Sequence, residues 1–201
     1  MPKSPNSSIK EKTTTDIYDG ISELIIKDNP ELLTITNIAK RSGYSIGNIY
    51  HHFKNIDDII DKFFINRIEL RASKIINFID QAPPSVNASD FIKSLNDENF
   101  DLMNNKLPRT MFLLLARKFF DKPALKEKFN AINISQATAI EAMINRNKTD
   151  TFKKQTYHEI ELAVLMLANA VRTPIVLGHK LALSKSHQKK SLDISLALFA
   201  K

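Results

Sequence analysis

Apolar residues recur at helical spacing along most of this chain, and two short stripes stand out at residues 33–53, LTITNIAKRSGYSIGNIYHHF. Ile35, Ile38 and Ala39 fall at i, i+3 and i+4, and Ile46, Ile49, Tyr50 and Phe53 at i, i+3, i+4 and i+7, so each set shares one helical face. Thr34 and Ser45 precede the two stripes, where a hydroxyl can accept from backbone N–H groups that a helix start leaves unpaired. Gly43 follows the first stripe, where a left-handed residue ends a helix without a Cβ clash. Two capped helices with Gly in a three-residue connection predict a helix-turn-helix. Its second helix presents Gly47, Asn48, His51 and His52 on the outer face.

The same periodicity organises the rest. Residues 1–7 are polar with two prolines and read as a disordered arm. Ser8 and Glu11 have capping-box spacing, predicting a first helix to about Asp28, stopped by Asn29 and Pro30. Asn55 with Asp58 caps a long fourth helix whose stripe, from Ile59 through Phe63, Ile68 and Ile75, runs to about Asp80. Pro83 and Pro84 break the pattern. Further helices are predicted over 89–105, 108–120, 122–145, 155–172 or beyond, and 183–199. Pro123 suits a first turn behind Asp121 as cap, and Pro174 either kinks its helix or restarts it. The apolar run 162–171, LAVLMLANAV, reads as a buried helix, too short for the ~20 residues that span a bilayer. The basic stretch 185–190, KSHQKK, reads as solvated. No strand-like alternation is sustained. The expected architecture is all-α: a three-helix helix-turn-helix head over residues 1–56, then a helical bundle over 57–201, about nine helices in all.

Composition narrows the chemistry. With 43% apolar and 25% charged residues in 201, the chain can bury a core. It has no cysteine, which excludes disulfides, Cys-ligated zinc and thiol catalysis and suits a cytoplasmic location. It has four glycines and no phosphate-cradling Gly-rich motif. The net charge of +7 fits a nucleic-acid partner. Residues 1–55 hold seven Lys/Arg and six Asp/Glu, a balance of only +1, so global charge supports that reading weakly. No apolar leader of the signal-peptide kind precedes the head. An enzyme reading finds little: His158 and Glu159 lack the second His of HExxH, and Asp57, Asp58 and Asp61 are explained by a helix start. His51 and His52 point about 100° apart on a helix and have no third ligand at metal spacing. No metal and no cofactor is expected.

The stretch IAKRSGYSIGNIYHHF resembles the DNA-binding signature of the TetR family of bacterial transcriptional regulators, at Ile38, Ala39, Gly43, Ser45, Ile49, Tyr50 and Phe53, with Tyr44 at its apolar and Asn48 at its polar position. The resemblance covers about residues 9–64. Beyond that, only length and the all-helical pattern agree. It implies a homodimer on a palindromic operator and a second domain that binds a small molecule and dimerises through its last two helices. Family members commonly carry Lys where this chain has Ile56, with Lys54 two residues earlier.

The DNA reading assigns residues. Ile46 and Asn48 stand near the start of the recognition helix, where an apolar side chain meets a thymine methyl and Asn pairs with adenine. Gly47 removes a side chain at the closest approach. Tyr50, His51 and Lys54 reach phosphates or sugars, and His52 either those or bases. The resemblance implies base reading at Ile46, Gly47 and His51 and phosphate contacts at Tyr50 and Lys54. Ser45 belongs to the same segment, and Thr36 and Lys40 add backbone contacts from the preceding helix. In the second domain Phe112, Arg117, Met166, Asn169 and Arg172 are the candidate ligand residues, with Met111 and Met143 suiting a lipophilic pocket. The plainer reading of each is core packing or a satisfied internal partner.

The expected function is a homodimeric, sequence-specific DNA-binding regulator, a repressor released by an unidentified small-molecule effector. Ligand would tilt the long fourth helix and change the spacing of the heads. It is expected to be neither an enzyme nor a membrane protein. The alternatives are an architectural DNA-binding protein without effector and a helical interaction protein that has lost DNA binding.

Overall fold

The computed structural model describes residues 5–27, 29–104, 113 and 122–201. They form eight α-helices: α1 Pro5–Ile26, α2 Ile35–Ser42, α3 Ile46–His52, α4 Ile56–Asp80, α5 Ala88–Asn104, α6 Pro123–Arg146, α7 Tyr157–Val176 and α8 Lys185–Phe199. A 3-10 turn, Pro30–Leu32, links α1 to α2. Among the described residues there is no strand, only an isolated bridge between Phe152 and Ala200. The fold is all-α, as the periodicity predicts. The helix expected over 108–120, with Met111, Phe112 and Arg117, lies outside the described residues, as does Asp121.

The chain divides into two compact units, Met1–Asn66 and Arg67–Lys201. In the first unit, Ile17, Ile21, Leu24 and Ile25 of α1 are buried with Ile38 of α2, Ile49 of α3, and Ile59 and Phe63 of α4. Tyr18 sets its ring against Phe53 and edge-on to Phe63, with centroids 6.1 and 5.6 Å apart. Helix α1 starts at Pro5, so Ser8, the expected cap, lies inside it. Pro suits a first helical turn because its fixed φ is already helical and its missing N–H has no partner there to lose. Asn55 caps α4 as expected: its Oδ1 accepts from Asp58 N–H at 2.8 Å.

In the second unit, Ile75, Ile79, Phe91, Ile92, Ile140, Met143, Ile160 and Phe199 form one core. Arg146, at the end of α6, donates to the Ile79 and Asp80 carbonyls at 2.8 and 2.6 Å and so closes the C-terminus of α4. Lys122, not Asp121, holds the cap position of α6, with an extended backbone and no side-chain cap bond. The Pro123 ring forces the preceding residue out of the helical region, which fixes the boundary there. Helix α7 opens with a full capping box between Thr156 and Glu159. It is not a wholly buried helix: Ala163 and Val164 are buried, but Leu162 and Met166 are 58% and 50% exposed.

Pro174 neither restarts α7 nor ends it; the helix continues to Val176. A proline has no N–H to give to the carbonyl four residues back, so the helix leaves Ala170 O without its usual donor. His187 of α8 fills that position, with Nε2 2.9 Å from Ala170 O. Its Nδ1 accepts the Leu183 N–H at 3.1 Å, which places the ring proton on Nε2 as the donor. The Phe100 ring stands edge-on to His187, with centroids 5.1 Å apart. The KSHQKK stretch is therefore only partly solvated. Lys185, Lys189 and Lys190 are exposed, while His187 closes α7 and Gln188 donates to Asp97 Oδ1 at 2.9 Å.

Replacing His187 with Phe should lower unfolding free energy by roughly 1–2 kcal/mol in urea titration, because a partly buried carbonyl and N–H both lose their partner. Replacing Pro174 with Ala returns a donor to Ala170 O. The double variant should then lose less than the sum of the two single effects.

Candidate nucleic-acid interface

The surface in question is built by α2, α3 and the turn between them. Thr34 Oγ1 accepts from Asn37 N–H at 3.3 Å and starts α2. Gly43, at φ 76° and ψ 12°, ends it in the left-handed region, its N–H donating to Ala39 O at 3.1 Å. Ser45 Oγ then accepts from Asn48 N–H at 3.1 Å and starts α3. Two side-chain bonds tie this turn to α1: Tyr44 donates its hydroxyl to Asp16 Oδ2 at 2.8 Å, and Arg41 Nη1 donates to Glu23 Oε2 at 3.3 Å. With Ile38 and Ile49 inaccessible to solvent on the inner side, the opposite side of α3 is turned outward.

The outer side carries most of the residues predicted to meet DNA. Thr36, Lys40, Ser45, Ile46, Gly47, Asn48, Tyr50, His51 and Lys54 are all exposed. Ile46 and Tyr50 share the apolar spacing of α3, yet they are 39% and 50% exposed; only Ile49 and Phe53 of that stripe enter the core. Gly47 is informative in the same way. A Cβ built there meets nothing nearer than Ser45 Oγ at 4.0 Å, so the protein's own packing does not demand a glycine in this helix. A glycine that weakens a helix without an internal reason fits a backbone that something external approaches closely.

His52 differs from its neighbours. It is partly buried, and its Nδ1 is shielded from solvent. Burial lowers its pKa, and the charges of Lys10 and His51 lower it further, so its ring is neutral at pH 7. Asp58, beside the interface, is held by two donors, the Lys54 backbone N–H and the Lys62 ammonium, both at 2.9 Å. Burial alone would raise its pKa, but these bonds outweigh it and hold the carboxyl below its ordinary range.

Charge is unevenly distributed along the head. Residues 34–54 contain Lys40, Arg41 and Lys54 and no Asp or Glu. The six acids that bring residues 1–55 to near neutrality all precede the helix-turn-helix segment in sequence, the last being Glu31.

The second unit contains a cavity of about 150 Å³. Arg172, Met143 and Val164 line it; Met166 and Asn169 do not, and both are exposed. Asn169 Oδ1 is 3.4 Å from Arg172 Nη2. Arg71 of α4 also lines the cavity, and sequence reasoning passed over it. The signal was present: Arg71 stands between Ile68 and Ile75 on the apolar stripe of α4, where a charge is out of pattern. The acidic residues that resembled catalytic groups have local duties. Glu159 accepts from Thr156 N–H at 2.7 Å, and among the described residues no three His, Cys, Asp or Glu side chains gather at metal-binding distance.

Residues 17–62 match the family model described as bacterial regulatory proteins, tetR family. The whole chain is similar in fold to solved regulators at low sequence identity. A tetR-family transcriptional regulator from Streptomyces coelicolor superposes with a TM-score of 0.66 at 12% identity, over 94% of this chain and 79% of that one. SmeT, the repressor of the Stenotrophomonas maltophilia multidrug efflux pump SmeDEF, gives 0.65 at 14%, over 94% and 93%. The Bacillus subtilis transcriptional regulator FadR, solved in complex with stearoyl-CoA, gives 0.62 at 17%, over 92% and 96%. No curated protein sequence matches the chain.

The buried character of His52 sets a pH dependence. Its folded pKa lies below the ordinary 6.5, so the fold favours the neutral ring. This contribution is fully present above pH 6.5 and is lost as pH falls from there through the lowered value. Thermal melts of the His52→Gln variant should show a flatter pH profile in that window than the unsubstituted protein.

Proposed function

We propose that this chain, a tetR-family protein by the sequence of its head and alike in fold over its length, is a homodimeric transcriptional repressor that reads a palindromic operator. The observation that carries the reading is the outer face of α3. Ile46, Asn48 and Tyr50 are exposed there beside a glycine the core does not require, in a segment with three cations and no acid. In this reading Ile46, Gly47 and Asn48 meet base edges in the major groove, and His51 joins them or holds the backbone. Thr36, Lys40, Ser45, Tyr50 and Lys54 hold phosphates and sugars. His52, neutral and turned partly inward, supports the helix from behind or offers one nitrogen to the backbone.

The same logic supports a dimer. Leu162 and Met166 are exposed one turn apart on α7, and Ile194 is exposed on α8. A second copy of the chain would cover such a pair of helices with the same pair, as a two-fold interface requires. Two heads then read half-sites one helical turn of DNA apart. The cavity in the second unit is the place for an effector, and effector and operator affinities are coupled. Coupling of this kind is typically ~1–3 kcal/mol, or 5–150-fold. No helix among the described residues is long and apolar enough to cross a membrane, and the cytoplasm is the proposed compartment.

Two variants separate positioning from reading. On DNA selected by the wild-type protein, Lys54→Ala should weaken binding to specific and unrelated duplexes alike and reduce the slope of log K against log salt by about 1 per subunit, or about 2 for the dimer. Ile46→Ala should instead lower discrimination at one base pair of each half-site by roughly 1–3 kcal/mol in anisotropy titrations. If neither variant changes DNA binding, α3 is not the recognition helix.

Replacing Met166 with Glu should place like charges across the two-fold interface. Sedimentation should show a monomer, and affinity for the full palindrome should fall toward that for a half-site.

A further inference from the structure

The cavity of the second unit has a polarity that its volume alone does not show. On α4, Arg71 lines one part of it and Ile79 another, about 12 Å along the helix at 1.5 Å per residue. On α7 the lining runs from Arg172 to Val164 over the same span, and on α5 from Asn99 to Phe91. Contacts align these runs. Arg71 Nη2 donates to Asn99 Oδ1 at 3.1 Å, and Arg71 lies within the field of the Arg172 charge. At the other end Phe91 meets Phe152 edge-on, with centroids 6.1 Å apart. Among the described residues, one end of the cavity is thus cationic and amide-lined, and the other is hydrocarbon.

Holding two guanidiniums in one largely apolar cavity is unfavourable. Burial first, then the nearby Arg172 charge, lower the Arg71 pKa to about 10, and burial lowers that of Arg172. The Arg172 guanidinium is also kept in place from below, lying over the Phe129 ring at 4.9 Å and donating through Nε to Ala168 O at 3.2 Å. A guanidinium already oriented in this way loses little freedom on binding an oxyanion and offers it paired donors.

We propose that this cavity binds a small amphipathic monocarboxylate, its carboxylate on Arg71 and Arg172 and its single ring or short alkyl body toward Ile79, Met143 and Phe152. The proposal rests on the reading of this cavity as the effector site and adds the ligand's chemical class. A cavity of about 150 Å³ suits a body of benzene-like bulk, and the 12 Å run favours a chain of about eight carbons over a compact one. Recognition is by charge at one end and by exclusion of water at the other. A neutral head on the same body is therefore bound more weakly, and a cationic head is rejected.

The test uses three probes that differ only at the head: octanoate, octanol and octylamine, titrated calorimetrically into the full-length protein. Octanoate should bind roughly tenfold or more tightly than octanol, and octylamine should not bind. Arg172→Gln should erase the preference for octanoate over octanol while leaving octanol affinity within a few-fold. Equal affinity for octanoate and octanol in the wild-type protein, or no binding of octanoate, overturns the proposal without needing any variant to fold. Operator release is measured separately on selected DNA. Octanoate that binds with the predicted preference but leaves operator affinity unchanged upholds the carboxylate site and overturns its role as effector site.

Discussion

The head depends on a turn of three residues. Gly43 takes a left-handed backbone that costs other L-residues roughly 1–2 kcal/mol, and Ser45 then restarts the helix by accepting from Asn48 N–H. That pair of events fixes the angle between α2 and α3. With the angle set, Ile38 and Ile49 reach the same core as Ile17 and Ile21, and Ile46, Gly47, Asn48 and Tyr50 are left outside. A longer or straighter connection would change which residues of α3 face outward. Tyr44 and Arg41, bonded to Asp16 and Glu23, hold the turn against α1. These bonds hold the outer face of α3 in place without any partner, and on the proposed reading that reduces the ordering cost of binding.

The second unit solves a different problem, keeping polar groups inside a helical core. Pro174 removes one backbone donor, and His187 replaces it from another helix. Arg146 does the same service for the end of α4. Arg71 and Arg172 are another case: two cations brought to one cavity, one bonded to Asn99 and the other laid over Phe129. In the reading proposed above, that end of the cavity receives the oxyanion of a ligand. Structure and ligand chemistry are then two aspects of the same electrostatic constraint.

Much of the head was legible from residue spacing. Thr34, Gly43, Ser45 and Asn55 do locally what their side chains allow, and a local bond can be read from a local sequence. The start of α1 was not, because Pro5 opens the helix a turn before the Ser8–Glu11 pair that has capping-box spacing. Burial was legible only where a stripe meets one partner surface. Ile46 and Tyr50 on α3, and Leu162 and Met166 on α7, have core-like spacing but remain exposed, and periodicity cannot tell a core from an uncovered contact face. Among the candidate ligand residues, Arg172 lines the cavity while Met166 and Asn169 do not. Which side of an apolar helix faces inward is decided by how α6 and α8 pack on it, which the spacing within α7 does not carry. Arg71 was visible as a charge out of pattern. The link between Pro174 and His187 joins two helices through one carbonyl and has no signature in either segment alone.

The central claim is that α3 reads sequence as one half of a symmetric pair. It is tested most directly by selecting duplexes from a random pool with the purified full-length protein at ~150 mM salt, held fixed because phosphate contacts make affinity steeply salt-dependent. The account predicts enrichment of an inverted repeat whose half-sites are centred about 10 base pairs, one turn, apart. Recovery of the pool without enrichment at any position would contradict it and would leave a DNA-binding protein that recognises only the backbone.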